Sequence, residues 1–330
     1  MSENSPLVSI VMGVHLDEGT LSSSIKSILN QTYNNFEFII LNDGNDKEVR
    51  NVVNRIDDPR ITLINQEKIG LTACLNIGIE NSNGIFIARH DAGDFSHKRR
   101  LQTQVDYMLK HPSIALCGTF VNEKTESGHD LGITTFPTEN TEIKENIISK
   151  NAFCHGSIMI AKEVLIEVGG YREDFLRAQD FDLWLRVINR FKIANLDLPL
   201  YSRIISKSSI SFLYGQSQDA YADVALKCYR ARLLNESEPL HLLKDITDES
   251  LNEKQANKVE IKYNFYCGRK LYQNENMKLA RGYFLKALKR GPFSLKNATF
   301  LVLTLLPKII RTPIAGFWFQ VKKLFGLKID

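Results

Sequence analysis

Cysteine is sparse and scattered in this chain. The five cysteines, Cys74, Cys117, Cys154, Cys228 and Cys267, never come within four residues of one another. That spacing excludes a metal knuckle and a CxxC redox pair. An odd number of separated cysteines fits a reducing compartment, where they pack as small apolar residues. Long apolar runs are also missing, and none reaches the ~18–20 residues of a membrane span. The nearest approach, residues 298–321, is broken by Pro307, Lys308, Arg311 and Pro313. The opening Met-Ser-Glu-Asn-Ser-Pro lacks a basic region and an apolar core, so no secretory leader is expected. Neither GxGxxG nor GxxxxGK[ST] occurs, which leaves a dinucleotide fingerprint and a P-loop without support.

What is present is the balance of a folded globular protein. Of 330 residues 43% are apolar and 24% charged, which excludes a disordered or collagen-like chain. The length suits one large domain, or one of ~200–250 residues with an appendage. The net charge of +4 conceals a split. Residues 281–330 carry ten Lys or Arg and one acid, giving +9, whereas the first 280 residues have 32 basic and 37 acidic side chains, giving −5. A basic end on an acidic body predicts a tail that meets something anionic.

Residues 7–14 (LVSIVMGV) form a short β-branched apolar run and read as a buried strand. Leu21, Ile25 and Ile28 follow at helical spacing, with start signals in Thr20 and Ser22 to Ser24. Residues 36–41 read as a second strand ending at Asn42-Asp43-Gly44, and residues 60–65 as a third. Residues 71–81 read as a helix and 84–89 as a fourth strand, which leads straight into His90-Asp91-Ala92-Gly93-Asp94. Residues 114–120 and 157–161 are further strands, and 179–191 a helix with Leu183, Val187, Ile188 and Phe191 on its apolar side. Alternating strands and helices predict an α/β fold with a mostly parallel sheet flanked by helices, whose ligands bind at strand carboxyl ends. From about Gly215 the sequence becomes helical and charged. Residues 259–290 read as two helices around a turn at 274–276, resembling one tetratricopeptide-like hairpin. The expected divisions are 1–214, a helical extension 215–297 and a basic apolar tail 298–330.

Several pieces in order resemble the inverting family 2 glycosyltransferases of GT-A fold, the Rossmann-like fold of nucleotide-diphospho-sugar transferases. They are Val8-Ser9-Ile10-Val11, Ser27 to Tyr33, Phe36-Glu37 to Gly44, Gly70-Leu71 with Asn76 to Ile79, Ile87 to Asp94, and Arg100-Leu101 with Gln104. Downstream, Gly169-Gly170-Tyr171 and Gln179 to Arg186 are similar to the acceptor-side motif, so the resemblance spans about residues 6–211.

The resemblance implies transfer of a sugar from a UDP-sugar, with inversion, to a glycan or polyprenyl-linked acceptor in surface polysaccharide synthesis, such as capsule or lipopolysaccharide. A diphosphate leaving group gains negative charge, which a carboxylate-held Mn²⁺ or Mg²⁺ neutralises. The metal falls to Asp94 first and Asp91 second. The family usually has Asp-x-Asp-Asp, and the third place here is Gly93. Asp43 maps onto the uracil-reading acid; Val14, His15 and Glu18 line the base and ribose pocket; Asp91 and Arg100 belong to the nucleotide side. Asp180 maps onto the general base, with Gln179 in place of the usual Glu. Asp182 competes for that role, and either acid also fits a helix cap; His155 and Trp184 map to the acceptor side, where Trp184 fits a core position at least as well. Arg89 and Arg99 fit phosphate contacts or ion pairs equally well. Asp43 also fits an Asx turn before Gly44. The late Arg-x-His contact is absent, since Arg203 is followed by Ile204 and Ile205.

The tail mixes apolar stretches with Lys308, Arg311, Lys322 and Lys323, and with Phe317, Trp318 and Phe319. That composition suits an element in a membrane interface drawn to anionic lipid, or a helix docked on the body. The expected location is the cytoplasm, peripheral at the inner face of the plasma membrane. No nucleic-acid motif accompanies the charge. Two other classes stay open. A non-catalytic nucleotide-sugar or glycan-binding relative would be favoured by Gly93 and Gln179. A sugar nucleotidyltransferase would want a Gly-rich basic loop that residues 13–24 do not supply.

Overall fold

A computed structural model describes residues 5–17, 19–247, 252–292 and 294–309. Glu18 and the tail beyond residue 309 lie outside the described residues.

The first four strands are β1 (Val8–Val14), β2 (Phe36–Asp43), β3 (Ile61–Gln66) and β4 (Phe86–Arg89). They pair in parallel in the order β3-β2-β1-β4. Helices α1 (Leu21–Leu29), α2 (Lys47–Asn54) and α3 (Leu71–Glu80) make the crossovers. β1 reads as an unbroken apolar run because both its faces are covered. Val8, Ile10, Met12 and Val14 meet Ile25, Ile28 and Val49 on one face, while Val11 meets Leu75 and Ile79 on the other. α2 was not evident in the sequence; its start is fixed by the Asp46 side chain accepting from the Val49 amide at 2.9 Å.

Beyond residue 95 the sheet changes character. β5 (Phe95–Ser96) precedes α4 (Arg100–Lys110), β6 (Ile114–Thr125), β7 (Asp130–Thr134) and α5 (Asn140–Asn146). A 3-10 turn at His155–Ser157 leads into β8 (Met159–Ala161), α6 (Lys162–Glu167), α7 (Gln179–Val187) and β9 (Lys192–Ile205). β8 runs antiparallel to β4 and β6, and β9 runs antiparallel to β5. The complete sheet has nine strands in the order β3-β2-β1-β4-β8-β6-β9-β5, with β7 on β6. The parallel half is thus the N-terminal half. The remaining helices are α8 (Ile210–Leu213), α9 (Gly215–Leu233), α10 (Glu253–Gln273), α11 (Met277–Arg290) and α12 (Leu295–Leu303).

The chain forms two compact units. The first comprises Met1–Asn122, Ile133–Ile204 and Gln216–Thr247. The contact boundary therefore differs from the expected division at residue 215: α9 contributes Tyr221, Val224, Ala225 and Cys228 to the core that holds Trp184 and Leu185. The second unit, Glu123–Gly132, Ile205–Gly215 and Asp248–Asp330, has its own apolar core of Tyr263, Phe265, Leu271, Phe284 and Phe300. In it α10 and α11 form an antiparallel pair whose close approach needs Gly268, since a Cβ there would lie 2.8 Å from the Phe284 ring.

Candidate active site

Parallel pairing brings the carboxyl ends of β1, β2 and β4 to one edge. Val14 pairs with Asn42, one residue before Asp43, and Val11 pairs with Arg89, two residues before Asp91. Val14 is 2% exposed and its side chain belongs to the core, so only its backbone meets the edge. Asp43 accepts from the Ile69 amide at 2.8 Å and the Gly70 amide at 3.1 Å, anchoring the start of α3. His15 is exposed, and its Nδ1 donates to the Asp43 carbonyl at 2.7 Å.

The turn after β4 holds the acidic pair. Gly93 has φ of 88°, a left-handed conformation suited to glycine, and the Asp94 amide donates to the Asp91 carbonyl at 3.2 Å. The short turn keeps both carboxylates at one site. Asp94 is 6% exposed. Its Oδ2 accepts from the Tyr201 hydroxyl and its Oδ1 from the Ile204 amide, both at 2.8 Å. These partners arrive because β9 pairs with β5, Ser202 opposite Phe95. Burial and the neighbouring charge of Asp91 push the Asp94 carboxyl up to about 7. Asp91 is held below its ordinary value: burial works against ionisation, and the Arg89 guanidinium outweighs it.

Arg89 is the hub of the site. It is 1% exposed, and its Nη1 donates to the carbonyls of Val11 at 2.6 Å and His90 at 3.0 Å. Its Nη2 pairs with Asp91, and its Nε donates to His155 Nε2 at 3.3 Å. His155 reaches this place because β8 pairs with β4 and the Arg89 amide donates to the Ile158 carbonyl at 3.0 Å. The Tyr171 hydroxyl donates to the same His155 Nε2 at 2.7 Å. A nitrogen accepting two donors is unprotonated, in keeping with the drop of the His155 pKa to about 3 through burial and then Arg89.

Asp180 lies in the first turn of α7, partly buried, with its Oδ2 accepting from Asn151 Nδ2 at 3.0 Å. Burial raises its pKa, opposed by the Phe181 amide and Asn151, and the charge of Asp91 raises it further. Asp180 thus feels the charge of Asp91. Just before α7, Ala178 has φ of 52°, a strained left-handed conformation for a residue with a Cβ.

Three expected site residues have other places. Arg100 is fully buried rather than turned to a phosphate. Its Nε donates to Gln104 at 3.0 Å, its Nη1 to Ser96 at 2.9 Å, and its Nη2 to the carbonyls of Arg89 at 2.7 Å and Ile158 at 3.1 Å. Asp182 is also fully buried, bonded to Arg186 at 2.8 Å with Arg172 at 3.6 Å, so it anchors α7 and has no access to an acceptor. Trp184 is wholly buried behind His155, with ring centroids 6.0 Å apart, and does not wall an open pocket. Arg99 is exposed.

No local pattern marked Tyr201, whose oxygen accepts from the Asp91 amide at 3.0 Å while donating to Asp94. Only the pairing of β9 with β5 reveals it. Gly156 is similarly hidden: a Cβ there would fall 2.1 Å from the Tyr201 hydroxyl and 2.8 Å from Asp91 Oδ2.

This fold is shared with known proteins. Residues 9–169 match the family model "Glycosyl transferase family 2". The O-antigen biosynthesis glycosyltransferase WbnJ of Escherichia coli is 33% identical over 188 residues, 56% of this chain and 72% of WbnJ. The putative glycosyltransferase EpsE of Bacillus subtilis is 35% identical over 204 residues, 59% of this chain and 72% of EpsE. Among solved structures, S. aureus TarS 1–349 in complex with UDP superposes with a TM-score of 0.52 at 14% identity, covering 90% of this chain and 89% of that one. The mannosyltransferase PcManGT from Pyrobaculum calidifontis, in complex with GDP-Man and Mn²⁺, gives 0.54 at 13% identity, covering 93% and 89%. The fold is GT-A, and the chain belongs to glycosyltransferase family 2.

Proposed function

We propose that this glycosyltransferase moves a sugar from a UDP-sugar to a glycan or polyprenyl-linked acceptor in surface polysaccharide synthesis, with inversion and with Asp180 as general base. The observation that supports this reading is the pair of acidic turns: Asp91 and Asp94 after β4, with Asp91 paired to Arg89, and partly buried Asp180 in the first turn of α7, held by Asn151. The relatives support the setting. One is named an O-antigen biosynthesis enzyme, and another, 27% identical over 195 residues, a UDP-Gal:alpha-D-GlcNAc-diphosphoundecaprenol beta-1,3-galactosyltransferase.

Asp180 takes the acceptor hydroxyl proton as that oxygen attacks the anomeric carbon from the face opposite the diphosphate. The bond to the diphosphate breaks, and its electron pair leaves with UDP. Burial raises the proton affinity of Asp180 toward that of a useful base. Asn151 holds one carboxylate oxygen and so fixes the orientation of the other. Asp43, at the end of β2, and His15 face the base and ribose. The residue partition follows: the body to residue 214 carries the transferase machinery, and residues 298–330 carry the membrane-facing tail.

The acidic turn fits a divalent cation. Asp91 and Asp94 are hard oxygen donors; burial first and the charge of Asp91 second raise the pKa of Asp94, and a cation relieves the second. Among the described residues no group of three or more His, Cys, Asp or Glu could hold a metal, so the protein offers these two carboxylates and the diphosphate would complete the shell. Bound Mn²⁺ or Mg²⁺ would neutralise the charge that develops on the leaving diphosphate. Arg89 holds Asp91 in place.

Two substitutions test the reading together. Asp180→Asn should lower transfer at least ~100-fold while leaving Mn²⁺-dependent UDP binding intact. Asp94→Ala should remove the Mn²⁺ dependence of UDP binding. Retained turnover in Asp180→Asn sinks the base assignment.

A further inference from the structure

The second unit displays an apolar stripe that its own core leaves uncovered. On α12 and the residues after it, Leu295 is 83% exposed, Val302 54%, Leu305 63% and Ile309 83%. Leu295 and Val302, seven residues apart, lie along one side of α12, and Leu305 and Ile309 follow beyond its end at Leu303. The opposite side supplies Asn297, Phe300 and Leu303, all buried. The element is therefore amphipathic, with an inner apolar face that meets Phe265 and Phe284 and an outer one that meets nothing in this unit's core.

The charge along this stretch is basic, with Arg290 paired to Glu260 of α10. Residues 277–309 contain seven Lys or Arg and no Asp or Glu. Lys278, Lys286 and Lys289 are exposed on α11 beside exposed Leu285. Lys286 lies over the Tyr283 ring and Lys296 over the Phe265 ring. Lys308 is drawn to Glu275, outside the window.

We infer that this face, formed by the outer sides of α11 and α12, is a docking surface for an anionic lipid bilayer. It rests on the peripheral-membrane part of the proposed function and gives that contact named residues. A lipid surface offers both things the face asks for: acyl chains for Leu295, Val302, Leu305 and Ile309, and anionic headgroups for the lysines at the rim. The next stretch of the chain is a poor occupant by charge. Residues 310–330 carry Arg311, Lys322, Lys323 and Lys328 against Asp330 alone, so they repel this face and share its attraction to anions. No helix among the described residues is long and apolar enough to cross a membrane, so the contact is one of lying on the surface.

The test uses the full chain and flotation with two kinds of vesicle, phosphatidylcholine alone and phosphatidylcholine with phosphatidylglycerol. The wild type should float with the anionic vesicles and much less with the neutral ones, and should detach as salt is raised. The double substitution Val302→Glu/Leu305→Glu should lower vesicle binding at least tenfold. Leu305→Ser, a milder change at an exposed position, should lower it severalfold, with unchanged far-ultraviolet circular dichroism. Equal flotation of the variants and the wild type overturns this face as the contact and leaves membrane binding to residues 310–330. No flotation of the wild type overturns both the face and the peripheral-membrane reading. A concentration-dependent dimer without vesicles, lost in Val302→Glu/Leu305→Glu, overturns the inference in favour of a second copy on this face.

Discussion

At the scale of single residues, the site depends on which atoms are already committed. His155 Nε2 accepts from both Tyr171 and Arg89, so it joins the guanidinium that holds Asp91 to a phenol whose pKa burial raises. Tyr171→Phe keeps the ring and deletes the stronger of the two donors. The prediction is a fall in kcat of ~10-fold with UDP affinity held within about twofold, because small misplacements near the acceptor cost rate more than binding. Steady-state kinetics beside calorimetric UDP titration checks it; unchanged kcat would rule out the strut. Arg100 is the contrasting case. With all three of its nitrogens bonded inside the protein, Arg100→Ala removes the side-chain donor to the Arg89 carbonyl, to Ser96 and to Gln104, and one of the two donors to the Ile158 carbonyl. It should cost ~3 kcal/mol or more of stability by chemical denaturation, the usual result of orphaning buried polar groups. Loss of nucleotide binding without loss of stability would restore Arg100 to the nucleotide pocket.

At the scale of elements, α7 carries Asp180 and is held at its base by an ion-pair group. Asp182 bonds Arg186, Arg172 lies 3.6 Å from Asp182 and also binds Glu238, and Arg232 on α9 lies 2.9 Å from Glu238. Burial alone would raise the Glu238 carboxyl, yet its bonds to Arg172 and Arg232 bring it down to about 2. A depressed acid stabilises the fold above its unfolded pKa, and that contribution is lost as pH falls from ~4.5 toward 2. Because the group is partly solvated, the contribution is ~1–2 kcal/mol. Wild type should therefore lose melting temperature over that window, and Glu238→Gln should lose less of it while starting lower at pH 7. Identical pH slopes would show that the pair contributes nothing.

Elements were also where the sequence was most readable. The β1, β2 and β4 runs were evident because strands buried on both faces must be apolar throughout, and α3 because Leu75 and Ile79 share a face. The acidic turn could be placed for the same reason, as it sits at the end of β4, whereas Asp180 was placed by the resemblance of Gln179 to Arg186 to the acceptor-side motif. Antiparallel pairing was not legible, since β5 is only two residues long and β8 three. Tyr201, Gly156 and the burial of Arg100 and Asp182 all depend on that pairing or on helix packing, which no local pattern encodes.

At the scale of the whole molecule, the proposals above give the −5 body and the +9 end two different kinds of ligand. Every described residue assigned to the transfer site falls in the first unit, and every residue of the inferred lipid face in the second. Binding stabilises only what it touches or what unfolds with it, by ~2.7 kcal/mol at a hundredfold excess of ligand over Kd. The two ligands should therefore leave separate footprints in hydrogen exchange. UDP with Mn²⁺ should slow exchange in residues 14–17, 43–44, 69–71 and 89–94, where amides lie at the strand ends or carry the acidic turn. It should leave α11 and α12 unchanged. Anionic vesicles should slow exchange in α12 and not in the acidic turn. Mass spectrometry of peptides from the full chain under the two conditions separates these outcomes. If UDP with Mn²⁺ protects α12 as strongly as the acidic turn, the two units open as one, and the charge split of the sequence does not mark a division of labour.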